Sequence, residues 1–445
     1  MKATKIIRDV IHSDIVFDQR FMKIIDTKEF QRLNRIKQLS CEYMVFPTAT
    51  HTRMAHSLGT YYVMGKLIEH FSALLLEMGY EVKNEDKDLA LCAALLHDIG
   101  HGPFSHTFEK MFMMKSHEDW AVSILKSTET DINSVILKEF GEDFLIRLTE
   151  IISKAYKHQD ENGIFFIIST LVSSQVDADR MDYLLRDAYF TSVTTGNYDF
   201  KRLIRAFGVE KNSKGELIIF IHQKFIATLE EYILARYYMH KEVYQHSVKR
   251  QMEGILQKIF ERAKQIYTSD NDIEIASIIE NLFRNEKLSV EDYLKLDDTT
   301  LLYHVSLWQE NKDEILSRLC KSFIERKKFK KYTFSQDSDI QITKFKEKIN
   351  ELLLENNKPP IEDYSKEYFY IEDDRDLKLY VNTKENIWIK RKDNKLLDLS
   401  EVSIIINESS ISNKSECTKR VYISPEIFNL RFGLEVDLIE KLGTW

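Results

Sequence analysis

The chain has 445 residues, of which 43% are hydrophobic and 30% charged, and its formal net charge is −8. These values exclude a disordered chain and disfavour broad electrostatic binding to nucleic acid. Only 13 glycines and 5 prolines occur, roughly a third of their average combined usage. So few helix breakers exclude a turn-rich all-β protein and favour long helices.

The predicted elements of the first 330 residues are mostly helices. Apolar residues at intervals of three predict a helix over Thr27–Gln38, with Asp26 or Thr27 as its cap. One weak strand is predicted at Glu216–Ile221. The other predicted helices run from about Thr52 to Met78, up to His97-Asp98, in short segments to about Lys154, over Val176–Asp187, from about Phe225 to Ala263 and over Thr299–Lys330.

The character of the sequence changes near Lys330. Short β-like runs, separated by charged or Asn-containing turns, follow at Tyr368–Ile371, Lys378–Val381, Ile387–Ile389 and Val402–Ile405. The sequence therefore predicts a mainly α protein with two parts. A helical core covers residues 1–335, and a smaller α+β region covers residues 336–445.

Several features predict where the protein resides. The segment Met1–Val10 is polar and charged, which argues against a signal peptide. The best apolar stretch, Leu89–Leu96, is shorter than the roughly 18 residues that cross a bilayer. The four cysteines are scattered without a CxxC pair, which suggests a reducing compartment and argues against a cysteine zinc site. We expect a cytoplasmic protein that does not associate with membranes.

Histidine gives the strongest functional signal. Seven of the 13 histidines fall between residues 51 and 117, where even spacing would place about two. The segment His97–His106 sets three histidines and Asp98 around the densest cluster of helix breakers. Imidazole and carboxylate together suit a first-row divalent ion. His56 on the preceding helix and the aspartates of Gln175–Asp187 are candidates for the remaining ligands.

Each of these features has an ordinary explanation when taken alone. A His-Asp dipeptide is common by chance, and histidines such as His70, His158 and His304 are usually surface or satisfied core residues. The charged run Asp179–Asp187 would normally be a solvated helix face. Only the combination indicates a metal site.

The combination of His56, His97-Asp98 and Asp179 resembles the H…HD…D metal signature of the HD-domain phosphohydrolases. The resemblance covers roughly residues 1–335 and is most specific for the branch that hydrolyses deoxynucleoside triphosphates (dNTPs). It implies an all-helical HD-domain core. The segments that carry it are Asp26–Leu33, Ile36–Leu39, Arg53–Gly59, His97–His106, Val176–Asp187 and Tyr244–His246.

The resemblance implies a role for each matching residue. The implied ligands of a divalent ion (Mn, Mg, Fe, Ni or Zn) are His56, His97, Asp98 and Asp179. The implied catalytic residues along the phosphates are His101, His106, His117 and Glu109. The implied substrate-binding residues are Gln38, Leu39, Arg53, Arg180, Tyr183, Asp187, Arg236, His240, Tyr244 and Gln245.

The implied reaction is attack of metal-bound water on the α-phosphorus of a dNTP, giving deoxynucleoside and triphosphate. The departing 5′-oxygen needs a general acid, for which His106 is the first candidate and His117 the second. Tyr244 would lie under the deoxyribose and exclude a 2′-hydroxyl. Control of dNTP pools and defence against phage by dNTP depletion both fit this activity.

The resemblance also implies a homo-oligomer, either a dimer or a tetramer. Relatives that are activated by nucleotides bind them through basic residues, and four such positions lack the expected arginine or lysine here. A nucleotide activator, a different activator and none at all therefore stay open. The four positions are Asn34, Gly208, His222 and Ser247.

Two alternative functions stay open at this point. The first is an HD phosphohydrolase that acts on a ribonucleotide, a cyclic nucleotide or a nucleic-acid end; Tyr244 argues against a substrate with a 2′-hydroxyl. The second is a nucleic-acid-binding regulatory protein that uses the basic run Arg326–Lys331, although such a run is usually a solvated helix end.

Overall fold

The computed structural model describes residues 4–112, 114–155, 163–213, 215–269, 272–334, 338–360, 368–375, 386–407 and 418–433. Helices predominate among them, as the sequence predicts. The chain begins with an antiparallel hairpin that the sequence did not predict. The hairpin consists of β1 (Thr4–Asp9) and β2 (Ser13–Asp18).

Helix α3 (Arg53–Glu77) organises the first half of the chain. It is 25 residues long, buries one side along most of its length and packs against α4 (Asn84–Leu96) and α10 (Ala178–Thr191). The other helices of this half are α1 (Gln19–Ile25), α2 (Lys28–Arg32), α5 (His106–Phe112), α6 (His117–Lys126), α7 (Asp131–Phe140), α8 (Glu142–Ile152), α9 (Ile164–Val172) and α11 (Phe200–Ala206).

The second half combines helices with short strands. A π-helix at His240–Tyr244 separates α12 (Ile226–Met239) from α13 (Ser247–Ser269). The other helices are α14 (Ser277–Phe283), α15 (Val290–Leu294), α16 (Asp298–Leu307), α17 (Glu314–Ile324), α18 (Ser338–Glu355), α19 (Leu399–Val402) and α20 (Pro425–Phe432). The strands are β3 (Phe207–Lys211), β4 (Leu217–His222), β5 (Lys330–Phe334), β6 (Tyr370–Arg375), β7 (Trp388–Lys390), β8 (Leu396–Asp398) and β9 (Thr418–Ile423).

Two further sheets join strands of the C-terminal region to strands that precede it in the chain. One has the order β3-β4-β7-β8, in which β7 pairs in parallel with β4; the other has the order β5-β9-β6. The α+β character of the C-terminal region is thus confirmed, whereas the boundary at residue 335 stays a prediction. Within the described ranges, no helix is both long and apolar enough to cross a membrane.

Four sequence predictions were wrong in detail. The helix expected over Thr299–Lys330 is instead divided into α16 and α17, ends at Ile324 and is followed by β5, which begins at Lys330. The helix expected over Thr27–Gln38 ends as a 3-10 turn at Arg35, because residues 36–38 instead pair with residues 51–53: Gln38 N donates to His51 O and Arg53 N to Ile36 O. The helix expected from Phe225 to Ala263 is interrupted by the π-helix. The strand expected at Val402–Ile405 is absent, because Asp398 forms a capping box that starts α19.

The β-like runs of the C-terminal region have mixed outcomes. The run Ile387–Ile389 overlaps β7, and Tyr368–Ile371 overlaps the start of β6. The run Lys378–Val381 lies outside the described residues. The predicted strand at Glu216–Ile221 corresponds to β4, but its partner β3 was not predicted.

Candidate metal centre and active site

Three helices bring the predicted metal ligands together. His56 lies on α3, His97 and Asp98 follow directly after α4, and Asp179 lies in the first turn of α10. His56 Nε2 is 3.0 Å and His97 Nε2 is 3.6 Å from Asp179 Oδ1. The carboxylate of Asp98 is 3.9 Å from His56 Nε2 and 3.3 Å from His97 Nε2. Ligand atoms of His56, His97 and Asp179 therefore lie close enough together to share one ion, and the Asp98 carboxylate lies beside both imidazoles.

Hydrogen bonds fix the orientation of both imidazoles. His56 Nδ1 is 2.8 Å from Asp182 Oδ2, and His97 Nδ1 is 2.8 Å from Ala94 O. With protons on the two Nδ1 atoms, both Nε2 lone pairs point toward Asp179. His97 Nε2 is buried and has no hydrogen-bond partner in the described part of the chain. An orphaned lone pair beside two carboxylates fits a divalent cation.

Charge in the cluster also favours a cation. Although burial disfavours the imidazolium, hydrogen bonds to Asp179 and Asp182 raise the pKa of His56 to about 10. Although burial disfavours the carboxylate, His56 and His97 hold the pKa of Asp179 below its ordinary value. The position between these groups thus stabilises positive charge, whether it is supplied by a proton or by a metal ion.

Asp182 is held in a buried network of its own. It accepts hydrogen bonds from His12 Nε2 at 2.7 Å and from Arg186 Nε and NH2, each at 2.9 Å. Arg186 NH1 continues to Asp9 at 2.8 Å, so the N-terminal hairpin takes part in the network. A methyl group at Gly59 would overlap Asp182 Oδ1, which explains a glycine in the middle of α3.

A second cluster of imidazoles lies beside the first. Glu109 is 3.1 Å from His117 Nδ1 and 3.2 Å from His106 Nδ1, and His101 Nε2 is 3.2 Å from Asp98 Oδ1. Although burial disfavours the carboxylate, these hydrogen bonds from His106 and His117 hold the pKa of Glu109 well below its ordinary value. Burial, with the charge of Arg53, lowers the pKa of His101.

This second cluster suits proton transfer better than metal binding. Ligand atoms of His101, Glu109 and His117 lie within 4.8 Å of one another, a spacing that a cation could bridge. However, the rings of His101 and His117 stack 3.9 Å apart at an angle of 14°. Nearly parallel rings keep their in-plane lone pairs in two nearly parallel planes, which disfavours convergence of the two imidazole nitrogens on one ion. The side chain of His106 is 67% exposed and can reach a bound ligand.

Arg53 connects the two clusters. Its NH1 donates to Asp98 Oδ2 at 2.5 Å, and its NH2 donates to Ser105 Oγ at 2.6 Å. The guanidinium is 5% exposed and lies at the wall of a cavity. Burial disfavours the ionised form of Asp98, but Arg53, His97 and His101 hold its pKa well below the ordinary value.

The cavity next to the metal cluster has a volume of about 480 Å³. On the wall formed by Tyr244 and Asp187, the hydroxyl of Tyr244 donates to Asp187 Oδ2 at 2.8 Å, and His51 Nε2 is 2.7 Å from Asp187 Oδ1. The side-chain oxygen of Gln38 is buried and lacks a hydrogen-bond partner among the described residues. The predicted residues that line the cavity are Gln38, Leu39, Arg53, His106, Tyr183, Asp187, His240 and Tyr244.

Three predicted substrate residues are not among those that line this cavity. Arg236 and Arg180 lie near Tyr183, where their positive charges partly offset the rise that burial causes in the pKa of its hydroxyl. The guanidinium of Arg180 donates to Ser174 O. The backbone oxygen of Gln245 accepts a hydrogen bond from Arg420 at 3.0 Å.

The sequence did not assign roles to several residues of the site. Asp182 was among the aspartates of Gln175–Asp187 named as candidate ligands, on one helix face with Asp179, but its contact with His56 was not predicted. Ser105 lies within the predicted segment His97–His106 without an assigned role. His12 carries no such signal, since tertiary packing alone brings it to the site. Lys110 and Lys249 also line the cavity, on α5 and α13.

Comparison with known proteins is consistent with this site. Residues 53–184 match the HD domain and residues 198–358 match the HD associated region. The uncharacterized protein YwfO of Bacillus subtilis is 38% identical over 341 residues, which cover 76% of this chain and 74% of that protein. A phosphohydrolase crystal structure from Bacteroides thetaiotaomicron aligns with a TM-score of 0.77 at 26% identity, covering 95% of this chain and 100% of that one.

A human relative is also similar. Deoxynucleoside triphosphate triphosphohydrolase SAMHD1 of Homo sapiens is 31% identical over 331 residues, which cover 67% of this chain and 50% of that protein. The helical fold and the convergent His/Asp cluster define the metal-site architecture of HD domains, which bind divalent metal ions. The chain belongs to the HD-domain phosphohydrolase family.

Proposed function

We propose that this chain hydrolyses dNTPs to deoxynucleoside and inorganic triphosphate with the help of a divalent cation. The observation that carries this proposal is the position of the cavity. It is lined both by the buried Arg53, which donates to Asp98 of the metal cluster, and by the Tyr244–Asp187 pair. Phosphates and a deoxyribose attached to them would therefore fit in one continuous space.

The cavity wall formed by Tyr244 and Asp187 favours deoxyribose. The phenol of Tyr244 is held by Asp187, and its ring lies 6.0 Å from that of Tyr183, nearly perpendicular to it. Two aromatic rings held in this way leave little freedom to admit an additional 2′-hydroxyl. The unpartnered oxygen of Gln38 can accept a hydrogen bond from a 3′-hydroxyl, because a buried acceptor gains most from finding a donor.

The part of the cavity lined by Arg53 and His106 suits the chemistry at the α-phosphorus. A divalent cation held by His56, His97, Asp98 and Asp179 would supply a water of lowered pKa and would offset phosphate charge. Arg53 adds a fixed positive charge beside the phosphates. The water oxygen bonds to the α-phosphorus, the bond from phosphorus to the 5′-oxygen breaks, and His106 gives that oxygen its proton. Glu109 orients His106 through the contact at Nδ1.

The relatives support the substrate class. The name of the human relative specifies a deoxynucleoside triphosphate triphosphohydrolase, and its match covers half of that protein. We extend that activity to this chain because the segments that carry the resemblance also build the cavity wall. A homo-oligomeric state, either a dimer or a tetramer, and a cytoplasmic location are part of the same proposal.

Product analysis across nucleotides tests the proposal. The metal-loaded protein is incubated with each dNTP and each ribonucleoside triphosphate in Mn²⁺ or Mg²⁺, with and without other nucleotides as activators. We expect deoxynucleoside and triphosphate from dNTPs only. His97→Ala should abolish turnover, whereas His70→Ala, a histidine on α3 that bonds to Phe207 O, should not. Turnover of ribonucleotides alone, or none by metal-loaded protein under all these conditions, would contradict the proposal.

A further inference from the structure

The loop after the HD pair contains two strained residues. Phe104 and Ser105 have φ values of 50° and 52°, in the left-handed region that residues with a side chain rarely adopt. Such a conformation is unfavourable and persists only where the surroundings hold it. The turn matters for the site, because Ser105 Oγ bonds to Arg53 and His106 follows directly.

A buried carboxylate holds this turn from outside the HD segment. Asp298, the first residue of α16, is 1% exposed. Its Oδ1 accepts a hydrogen bond from the backbone N–H of Phe104 at 2.9 Å. Its Oδ2 accepts one from the backbone N–H of Lys37, also at 2.9 Å. One side chain thus connects the strained turn with the segment that presents Gln38 to the cavity.

Neighbouring residues hold the same loop at other points. Tyr293 donates its hydroxyl to Gly100 O at 2.6 Å and stacks on Trp120 at 3.7 Å. Arg32 donates to His101 O and, through Nε, to Leu296 O, both at 2.8 Å. The segment from Tyr293 to Asp298 therefore braces the loop, and Asp298 is the member that reaches the strained turn.

We infer that Asp298 is a positioning residue for the reaction. This inference rests on the proposed function, since it concerns the same site. Because each carboxylate oxygen accepts one backbone hydrogen bond, the side chain holds the turn at Phe104 and the chain at Lys37 at a fixed separation. Ser105, and through it Arg53, then keeps its place beside Asp98. His106 keeps its place at the cavity. A displacement of about 1 Å at such groups can lower the rate about 100-fold.

The substitution Asp298→Asn tests this inference. The amide offers one acceptor and one donor group, so it cannot accept from both N–H groups at once. We expect kcat for dNTP hydrolysis to fall about 10- to 100-fold, with KM changed less and metal content unchanged. Asp297→Asn is the matched control: it retains the capping of Thr300 and loses only the ion pair with Arg35.

Two measurements keep the test independent of folding and of the substrate. Thermal unfolding should show similar small losses for both variants. In a crystal structure of Asp298→Asn, Phe104 or Ser105 should leave the left-handed region. An unchanged kcat, or an unchanged turn, overturns the inference. The inference is also overturned if neither Asp298→Asn nor Asp298→Ser folds, because Asp298 would then have a structural role. A wild-type protein without dNTP turnover contradicts the proposed function instead, and the crystal structure still decides the inference.

Discussion

His56 and Asp182 form a fully buried pair, with 2.8 Å between Nδ1 and Oδ2. The bond fixes the histidine tautomer and directs Nε2 toward Asp179. Arg186 and His12 in turn fix the carboxylate. A hydrogen-bond network that reaches the N-terminal hairpin therefore supports the metal cluster. Substitutions in that network should lower metal affinity more than they lower the rate of the metal-loaded protein.

Replacement of Asp182 by asparagine should weaken metal binding. Loss of the negative charge leaves the orientation of His56 less defined, and such changes typically cost about 10- to 100-fold in metal affinity. Metal titration by calorimetry measures the effect. Asp199→Asn is the control, because Asp199 caps α11, away from the metal cluster in sequence, and asparagine retains that cap. Equal metal affinity in Asp182→Asn and wild type would contradict this role.

His106→Ala should reduce chemistry more than binding. Removal of a general acid typically costs about 100- to 10,000-fold in rate, whereas the cavity wall is otherwise intact. Single-turnover rates and nucleotide binding, measured separately, resolve the two effects. A pure loss of affinity would move the role of acid to His117, which shares Glu109 with His106.

Tyr244→Ala should relax the discrimination between sugars. The smaller side chain opens the space beside Asp187, so kcat/KM for ribonucleotides should rise relative to dNTPs. Tyr244→Phe retains the ring and should retain most of the discrimination. Tyr238→Ala, at an exposed position on the preceding helix α12, provides the control. If the ratio of kcat/KM for the two sugars is the same in Tyr244→Ala as in wild type, the proposed role of the ring is wrong.

Glu42→Gln should stabilise the protein at alkaline pH. Burial raises the pKa of Glu42 to about 8, with Glu253 and Asp187 adding to the shift and Lys249 opposing it. Since the unfolded carboxyl ionises near its ordinary value of 4.5, the folded state binds more protons between pH 4.5 and 8, and stability falls as pH rises through that window.

The variant lacks this titration. Its free energy of unfolding should exceed that of wild type by on the order of 1–4 kcal/mol at pH 8, and the two should agree near pH 4.5. Denaturant unfolding at both pH values measures the difference. Glu81→Gln, an exposed position, should show neither effect. A difference that does not depend on pH would mean that Glu42 is ionised in the folded protein.

The sequence predicted most helices, because their apolar residues recur at helical spacing. It missed the N-terminal hairpin, where Ile6 and Val16 are exposed and Ile15 and Phe17 are buried, so apolar residues lie on both faces and hide the alternation. It extended the helix that begins at Lys28, because Ile36 continues the spacing although it is buried in extended chain.

The sequence predicted the residues of the metal cluster but not the residues that position them. The metal cluster was found because its residue types are distinctive and partly adjacent in sequence. The partners of these residues were not found, since Asp298 lies 194 residues from Phe104 and 261 from Lys37 and bonds only to their backbone N–H groups. Hydrogen bonds to backbone groups leave no pattern of side chains that a single sequence could reveal.

Hydrolysis of a dNTP in water labelled with ¹⁸O tests the central claim most directly. Attack at the α-phosphorus predicts intact triphosphate that carries one labelled oxygen on a terminal phosphate, and a deoxynucleoside with an unlabelled 5′-hydroxyl. Phosphorus NMR and mass spectrometry of the products distinguish these species. Release of pyrophosphate with a nucleoside monophosphate, or label in the 5′-hydroxyl, would contradict the account.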